Sequence, residues 1–334
     1  MDLLGKLSEV FPISAVISMN QYGSGHIHDT YFLETKSETA FVAQRFNRDI
    51  FSDPYTVEHN YELLRKLLGN SEIFKLEYLK GKSGSIFENI EGDLWRISPF
   101  IQETITYDVC EDDSLAFNAA SAFARFIKEL SETPPHQFKE AIPNFLNPAV
   151  RYLQFKASLE QASDTLLKKA GHLIDAYTYH NPTVELESLT AQLPKRVIHG
   201  DTKINNILFR KDDEVVSIID VDTTMPGYTM CDFGDLVRTT CNKTAEDDPD
   251  PKHAGLKTSI YDQIFNAFKE QNFLTPIELN SLPLGVHLMT WLTGIRFLTD
   301  YLNRNIYYKI HREDHNLDRA QSQMNFLIKL KDYK

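Results

Sequence analysis

The first part of the chain alternates short β-branched and aromatic runs with glycine-containing or charged turns, a pattern typical of antiparallel strands. The predicted strands cover residues 30–34, 40–46 and 94–101. Between them, residues 54–68 place apolar side chains at helical spacing, with Asp53 as the N-cap and Pro54 at the first helical position. The pattern therefore predicts a small antiparallel sheet with one helix.

Beyond residue 114 the apolar spacing becomes helical, and Pro134 and Pro135 end the first of these helices. One segment departs from the helical pattern. Residues 196–220 contain two brief apolar runs, 207–209 and 215–219, separated by a polar turn. These runs predict two short strands inserted among helices.

The fold class predicted from these elements is α+β, with two lobes. A chain of 334 residues is long enough for two cores, since single cores stop growing at roughly 250 to 300 residues. We assign residues 1–104 to a sheet-containing N-terminal lobe. Residues 105–334 form a larger, mainly helical lobe, and the boundary falls near residues 102–108.

The charge balance limits the classes of partner. Lys and Arg number 35 against 47 Asp and Glu, which gives a formal net charge of −12. Such a field repels nucleic acid and anionic membrane surfaces, so we expect neither as a partner. A bound nucleotide would need local devices, such as metal ions, a few basic side chains and backbone amides.

Three dispersed cysteines indicate neither a disulfide framework nor a zinc site, and residues 1–16 lack the pattern of a signal peptide. The apolar segment 281–298 is interrupted by His287 and Arg296, which predicts a buried helix rather than a membrane span. We therefore expect a cytoplasmic protein. No coiled-coil repeat is visible, which favours a monomer.

The chemistry is concentrated in residues 199–206 and 218–222. Phosphoryl transfer needs a carboxylate that accepts the proton of the acceptor hydroxyl, oxygen ligands for magnesium, and a basic group that offsets charge on the transferred phosphoryl. We assign Asp201 as the base, Lys203 as the basic group, and Asn206 and Asp220 as the magnesium ligands.

The spacing supports the metal assignment, because a loop that enters one strand and leaves along the next brings Asn206 and Asp220 to one edge. Magnesium accepts such hard oxygen ligands and keeps several waters, so ATP phosphates would complete its shell. A turn-stabilising role is the alternative for Asp201 alone. We expect His199 to brace the loop rather than to react.

These motifs resemble the aminoglycoside phosphotransferase and choline kinase superfamily, whose fold is protein-kinase-like. Within it, the chain is most similar to the N-acetylhexosamine 1-kinases. The segments that carry this second similarity are 22–27, 95–97, 220–227, 232–235, 296–302, 306–307 and 315–317. The resemblance implies ATP-dependent phosphorylation of the anomeric hydroxyl of N-acetylglucosamine or N-acetylgalactosamine.

The resemblance also implies roles for individual residues. His26, Arg296 and Tyr307 would line the sugar pocket together with Asp201, while Asp222 and Asp232 would support the site with His199. For Arg296 a structural ion pair is the alternative. Gly23 and Gly25 would lay backbone amides over phosphates, although a simple hairpin turn explains both glycines equally well. The resemblance thus implies three ligands, which are Mg²⁺, ATP and a sugar.

One expected residue is missing. Kinases of this superfamily carry a strand lysine that contacts the phosphates and pairs with a helix glutamate, but residues 41–46 offer only Gln44 and Arg45. Strand alternation allows only one of the two to face the nucleotide, and we assign Gln44. A solvated surface position is the expectation for Glu62.

Two other functions remain open from the sequence. One is a kinase for an aminoglycoside, choline or another alcohol on the same fold. The other is a protein that binds a nucleotide or sugar without turnover, which the missing lysine would explain. We favour an active enzyme, because a binding module has no need for Asp201, Asn206 and Asp220 together.

Overall fold

The computed structural model describes residues 2–23, 27–244, 248 and 250–331. Its N-terminal part contains a fully antiparallel five-stranded sheet with the strand order β1-β2-β3-β5-β4. The strands are β1 (Val16–Gln21), β2 (Asp29–Thr35), β3 (Ala40–Phe46), β4 (Glu88–Ile90) and β5 (Asp93–Pro99). The three predicted strands correspond to β2, β3 and β5.

Two helices, rather than the single predicted one, accompany this sheet. The expected helix is α2 (Pro54–Leu68), and the Asp53 side chain caps it by accepting from the Tyr55 amide at 3.1 Å. The additional helix is α1 (Leu3–Val10), which brings Leu7 against one face of the sheet. Eight residues of mixed polarity carry little helical signal, because such a short helix depends on tertiary packing for its stability.

The C-terminal part is mainly helical, as predicted. Its helices are α3 (Asp113–Glu129), α4 (Pro148–Gln161), α5 (Asp164–Tyr179), α6 (Thr183–Thr190), α7 (Thr229–Thr240), α8 (Thr258–Glu270), α9 (Pro276–Leu302) and α10 (His315–Lys331). The long helix α9 lies among α4, α5, α7 and α10 and contributes many buried side chains to the core.

Two small strand pairs interrupt the helices around residues 196–227. The predicted pair is β7 (Ile207–Phe209) with β8 (Val215–Ile218), in which Ile207 lies opposite Ile218. A second pair, β6 (Arg196–Ile198) with β9 (Met225–Gly227), was not predicted. Its two strands are distant in the sequence, so no turn between them signals the pairing. The β6–β9 pair encloses residues 199–224, the candidate catalytic segment, and the β7–β8 pair lies within it.

Helices α7 and α9 approach each other at a pair of glycines. A Cβ added to Gly234 would lie 2.1 Å from the carbonyl oxygen of Gly285, and one added to Gly285 would lie 2.0 Å from the carbonyl oxygen of Met230. Side chains at either position would collide with backbone atoms. The two helices therefore pack at backbone contact.

The N-terminal part joins the helical part through hydrogen bonds from α2 and from the segment after β5. Asn60 of α2 donates to the carbonyl oxygen of Thr224 at 2.9 Å. Ile105, within the predicted boundary, exchanges two backbone hydrogen bonds with Phe209 of β7, at 2.8 and 2.9 Å. The catalytic segment is thus tied to the connection between the two parts of the chain.

Residues 281–298, predicted as a buried helix, lie within α9. None of the helices in the described part of the chain combines the length and the apolar character that a bilayer crossing requires.

Candidate active site

The segment that carries Asp201 is held by Asp232 at the start of α7. The Asp232 carboxylate accepts from the backbone N–H groups of His199 and Gly200 at 2.7 and 2.9 Å. Its own carbonyl oxygen accepts from the Thr202 hydroxyl at 2.5 Å. Burial raises the pKa of Asp232 to about 6, although His199 and these backbone donors act in the opposite direction.

The His199 side chain is fully buried. One ring nitrogen, Nε2, lies 3.0 Å from the carbonyl oxygen of Ile219, and the edges of Phe123 and Phe126 pack against the ring. The carbonyl group of His199 accepts from the Thr223 hydroxyl at 2.9 Å. His199 thereby links the loop before β7 to the turn after β8.

Two of the predicted residues, Lys203 and Asn206, contact Asp201. The Lys203 ammonium lies 3.3 Å from Oδ1 of Asp201, and the Asn206 amide nitrogen lies 3.2 Å from Oδ2 and 2.9 Å from the Asp201 carbonyl oxygen. Burial would raise the pKa of Asp201, but the charges of Lys203, His199 and Arg238 outweigh it and hold that pKa below its usual value. The carboxylate is therefore ionised at neutral pH.

The β7–β8 pair brings Asn206 and the Asp220 segment together. The Asn206 carbonyl oxygen accepts from the Ile219 amide at 2.9 Å, immediately before Asp220. Asp220 then adopts the left-handed conformation, with φ 56° and ψ 52°. Such geometry is uncommon for a residue with a side chain and is concentrated at functional sites.

The charge at this edge suits a cation. Burial, together with the nearby carboxylates Asp222 and Asp201, raises the pKa of Asp220 to about 6. Because the Asn206 amide nitrogen bonds to Asp201, its amide oxygen is the atom left for a metal ion. One amide oxygen and one carboxylate are hard ligands of the kind that magnesium takes beside phosphate oxygens, so the residues fit a magnesium ion.

Asp222 lies two residues beyond Asp220 and is almost fully buried. The Arg96 guanidinium of β5 donates to both of its carboxylate oxygens, each at 2.7 Å, and His28 Nε2 lies 2.9 Å from Oδ2. Burial would raise the pKa of Asp222, but Arg96 and His28 hold it well below its usual range. This carboxylate is therefore fully compensated inside the protein.

The strand that lacks the lysine shows the expected alternation. Arg45 of β3 is exposed and pairs with Asp29 and Asp93. Gln44 faces the other side of the sheet, where its amide oxygen accepts from Arg96 Nε at 2.8 Å and its amide nitrogen donates to the Thr30 hydroxyl at 3.3 Å.

Glu62 makes an exposed ion pair with Lys80 at 2.9 Å. Glu62 therefore lies at the surface, as expected from the sequence.

The turn between β1 and β2 is only partly described. Gly23 has φ +76° and open space around its missing Cβ, and the Tyr22 amide donates to the Thr30 carbonyl oxygen at 2.9 Å. Gly25 and His26 lie outside the described residues, so their predicted contacts keep the status of predictions. Ile27, the next described residue, lines the cavity beside Asp201.

A cavity of about 130 Å³ opens onto Asp201 and is bounded by α7, α9 and the segment between α9 and α10. Among the residues that the structure describes, its acidic side chains are Asp201 and Asp235. Its basic side chains are Lys203, Arg238, Arg296, Lys309 and Arg319. The cavity is therefore locally positive, in contrast to the chain as a whole.

Arg296 and Tyr307, both predicted from the sequence, line this cavity. The Arg296 guanidinium lies 5.1 Å from the ring centre of Phe145, 5.7 Å from that of Tyr308 and 5.9 Å from that of Tyr307. Its described neighbours are thus aromatic rings rather than the carboxylate that a structural ion pair would supply.

The sequence around Asp201, Asn206 and Asp220 matches a known protein family. The family model described as "Phosphotransferase enzyme family" matches residues 18–260, which contain the whole catalytic segment. The chain belongs to this family.

The fold of this phosphotransferase is similar to that of several small-molecule kinases of known structure. An aminoglycoside phosphotransferase from Alicyclobacillus acidocaldarius gives a TM-score of 0.64 at 13% identity, over 98% of this chain and 94% of that one. The choline kinase LicA from Streptococcus pneumoniae gives 0.58 at 13%, over 98% and 97%. An amicoumacin kinase in complex with AMP-PNP, Ca²⁺ and Ami gives 0.64 at 12%, over 97% and 92%. The predicted bilobal protein-kinase-like fold is confirmed.

Sequence reasoning missed several polar residues of this phosphotransferase's site. Asp235 and Arg238 form a buried ion pair on α7, with Arg238 Nε and Nη2 at 3.0 and 2.8 Å from Asp235 Oδ1. Arg96 and His28 surround Asp222. An arginine between Trp95 and Ile97 of β5 was a usable signal, because an arginine is rarely buried without a partner.

Proposed function

We propose that the chain transfers the terminal phosphoryl group of magnesium-bound ATP to the anomeric hydroxyl of an N-acetylhexosamine, giving the sugar 1-phosphate. Family membership supports phosphoryl transfer to a small acceptor. The choice of acceptor rests on the cavity beside Asp201 and on the similarity of the sugar-side segments. The proposed reaction is ATP-dependent.

Asp201 is the proposed base. Its carboxylate borders the cavity, and its lowered pKa keeps it ionised, as a proton acceptor must be at neutral pH. In the reaction the acceptor hydroxyl would give its proton to Asp201 while its oxygen bonds to the terminal phosphorus of ATP. The bond from that phosphorus to the bridging oxygen would break, and ADP would leave. Lys203, at 3.3 Å from Asp201, would offset the charge on the transferred group.

Asn206 and Asp220 would hold magnesium through one amide oxygen and one carboxylate oxygen. Bound magnesium would neutralise charge on the ATP phosphates and orient them. The presence of this pair next to the base favours turnover over simple binding. A pure binding protein would gain nothing from keeping the strained backbone of Asp220 beside two other carboxylates.

The observation that carries the choice of acceptor is the charge of the cavity. The described lining holds five basic side chains against two acidic ones. This charge would repel choline or a polycationic aminoglycoside, whose recognition requires acidic or aromatic surroundings free of competing cations. A neutral, hydroxyl-rich sugar carries no such penalty. Its oxygens would accept hydrogen bonds from guanidinium groups, which are donors only.

Arg296, Tyr307 and Tyr308 form the proposed sugar-binding wall. Aromatic rings suit the apolar faces of a sugar, and an arginine beside them suits its hydroxyl groups. The contacts of Arg296 with rings leave its N–H groups without a described carboxylate partner. By the similarity stated above, His26 would complete the wall from the β1–β2 turn, while Gly23 and Gly25 would cover the phosphates.

The decisive experiment supplies magnesium-ATP and, separately, N-acetylglucosamine, N-acetylgalactosamine, choline and kanamycin. We expect ADP release with one or both sugars and none above background with the cationic acceptors. Phosphorus and proton NMR of the product should show a phosphate on the anomeric carbon. A chain that phosphorylates choline or kanamycin and neither sugar would refute the proposed acceptor.

A matched variant tests the cavity itself. Arg296→Met keeps the length and apolar contacts of the side chain but removes its donors. We expect the sugar KM to rise by about tenfold or more, which corresponds to about 1.4 kcal/mol, while the ATP KM changes little. Equal effects on both constants would contradict a role for Arg296 in acceptor binding.

A further inference from the structure

By the resemblance stated above, we assign Gln44 to the position that holds a lysine in kinases of this fold. In protein kinases that lysine, on the third strand, pairs with a helix glutamate and must be in place for activity. Here Glu62 on α2 pairs with Lys80 at the surface. The pair is therefore missing from its usual place, and a buried cation nearby is the candidate to replace it.

Arg96 is that cation. It lies on β5 directly opposite Gln44 in the antiparallel register and donates to it from Nε. Its side chain is fully buried, with the guanidinium 4.4 Å from the ring centre of Tyr78 and 5.5 Å from that of Phe46. A buried charge is costly unless it is paired and hydrogen-bonded, so this placement depends on its partner.

The partner is Asp222, which connects Arg96 to the metal site. Two parallel hydrogen bonds of 2.7 Å fix the guanidinium to Asp222. Asp222 belongs to the short turn Val221–Thr223 that begins directly after Asp220. One side chain thus links the nucleotide-facing sheet to the proposed metal ligand.

We propose that Arg96 and Asp222 replace the lysine–glutamate pair of related kinases, with Arg96 as a positioning residue that holds Asp220 in register with the sheet. The cation has moved from β3 to the neighbouring strand, and Gln44 now orients it. His28, which also contacts Asp222, extends the same arrangement to the segment after the β1–β2 turn. This inference rests on the proposed use of magnesium-ATP and is independent of the acceptor.

The test moves the cation back to β3. Three variants, Arg96→Met, Gln44→Lys and the double variant Gln44→Lys/Arg96→Met, are compared with the wild type. Binding of AMP-PNP with magnesium is measured by calorimetry, and melting temperatures are measured with and without it. Arg45→Met on the exposed side of β3 is the matched control, and we expect it to bind the nucleotide within about twofold of the wild type.

We expect Arg96→Met to weaken nucleotide binding by about tenfold or more, and the double variant to recover binding to within about threefold of the wild type. Loss of a merely structural ion pair would lower the melting temperature without selective loss of nucleotide binding, and a lysine at position 44 would not restore it. The single Gln44→Lys variant should bind no better than the wild type, because a second buried cation lacks a partner.

Two results would overturn the inference. One is wild-type nucleotide affinity in Arg96→Met. The other is a double variant that shows no recovery relative to Arg96→Met. No recovery means that it binds the nucleotide no more tightly than Arg96→Met, or that both variants fail to fold. If the wild type itself binds no magnesium nucleotide, the proposed function fails first, so the two failures are distinguishable.

Discussion

Asp300, near the end of α9, accepts a hydrogen bond from the backbone N–H of Tyr307 at 2.8 Å. The same buried carboxylate accepts from the Tyr308 amide at 3.0 Å and from the Asn316 side chain at 2.9 Å. Tyr307 and Tyr308 both line the cavity. A single carboxylate thus holds the loop that forms the proposed sugar-binding wall.

Asp300→Asn should therefore weaken acceptor binding. An amide nitrogen would face backbone donors in place of an oxygen, and losing hydrogen bonds to a buried charged group costs about 1.5 to 3 kcal/mol each. We expect the acceptor KM to rise by about tenfold or more, with the ATP KM unchanged within about twofold. Steady-state kinetics measure both, and the exposed Asp175→Asn is the control. A parallel rise in both constants would indicate general damage instead.

Asp201→Asn should abolish most turnover and leave acceptor binding intact. The amide keeps the shape of the carboxylate and can still accept from Asn206, but it cannot take a proton. General bases contribute about 10² to 10⁴-fold, so kcat should fall by about that factor. Calorimetry with the sugar should give a dissociation constant close to that of the wild type. Near-full activity in this variant would show that another group is the base.

Asp220→Asn should raise the stability of the metal-free protein at neutral pH. The pKa of Asp220 is raised from 3.8 to about 6, so folding favours its protonated form. Its stabilising contribution is complete below about pH 4 and is lost as the pH rises through about 6. The neutral asparagine loses nothing over that range.

The melting temperature of Asp220→Asn relative to the wild type should thus increase between pH 4 and 6 and stay constant above. Differential scanning measurements in EDTA give this comparison, with about 2 to 4 °C expected for each kcal/mol. Added magnesium-nucleotide should stabilise the wild type more than the variant. A difference that is independent of pH would argue against the raised pKa.

Asp232→Ala should destabilise the loop that carries Asp201. Removing the carboxylate leaves the buried N–H groups of His199 and Gly200 without their acceptor, at a cost of about 1 to 3 kcal/mol each. We expect a lower denaturation midpoint in urea and a lower kcat, because the base loses its support. Asp175→Ala should change neither. Unchanged stability in Asp232→Ala would mean that water replaces the carboxylate.

Local signals were sufficient for most of the fold. The Asp53 cap with Pro54 gave the bounds of α2, and the apolar runs around the polar turn gave the β7–β8 pair, because both depend on neighbours in the chain. Helix α1 and the β6–β9 pair depend on contacts between distant segments. Their own residues therefore carry little information about them.

The candidate site also contains residues that could be predicted from local sequence and residues that could not. Asp201, Lys203, Asn206 and Asp220 lie within one hairpin, so their order along the chain already implied that they meet. The contact between Arg96 and Asp222 joins residues 126 positions apart. No spacing rule predicts such a pair, although the buried arginine in β5 was visible as an exception to strand patterning.

The backbone contact between Gly234 and Gly285 limits how the acceptor range of this fold can change. Helix α7 carries Asp235 and Arg238, and helix α9 carries Arg296, so two walls of the cavity are locked at a fixed separation. The segment between α9 and α10, which Asp300 holds through the amides of Tyr307 and Tyr308, is the wall where substitutions should admit bulkier acceptors. Attempts to widen the cavity by spreading the helices would break the core before they made room.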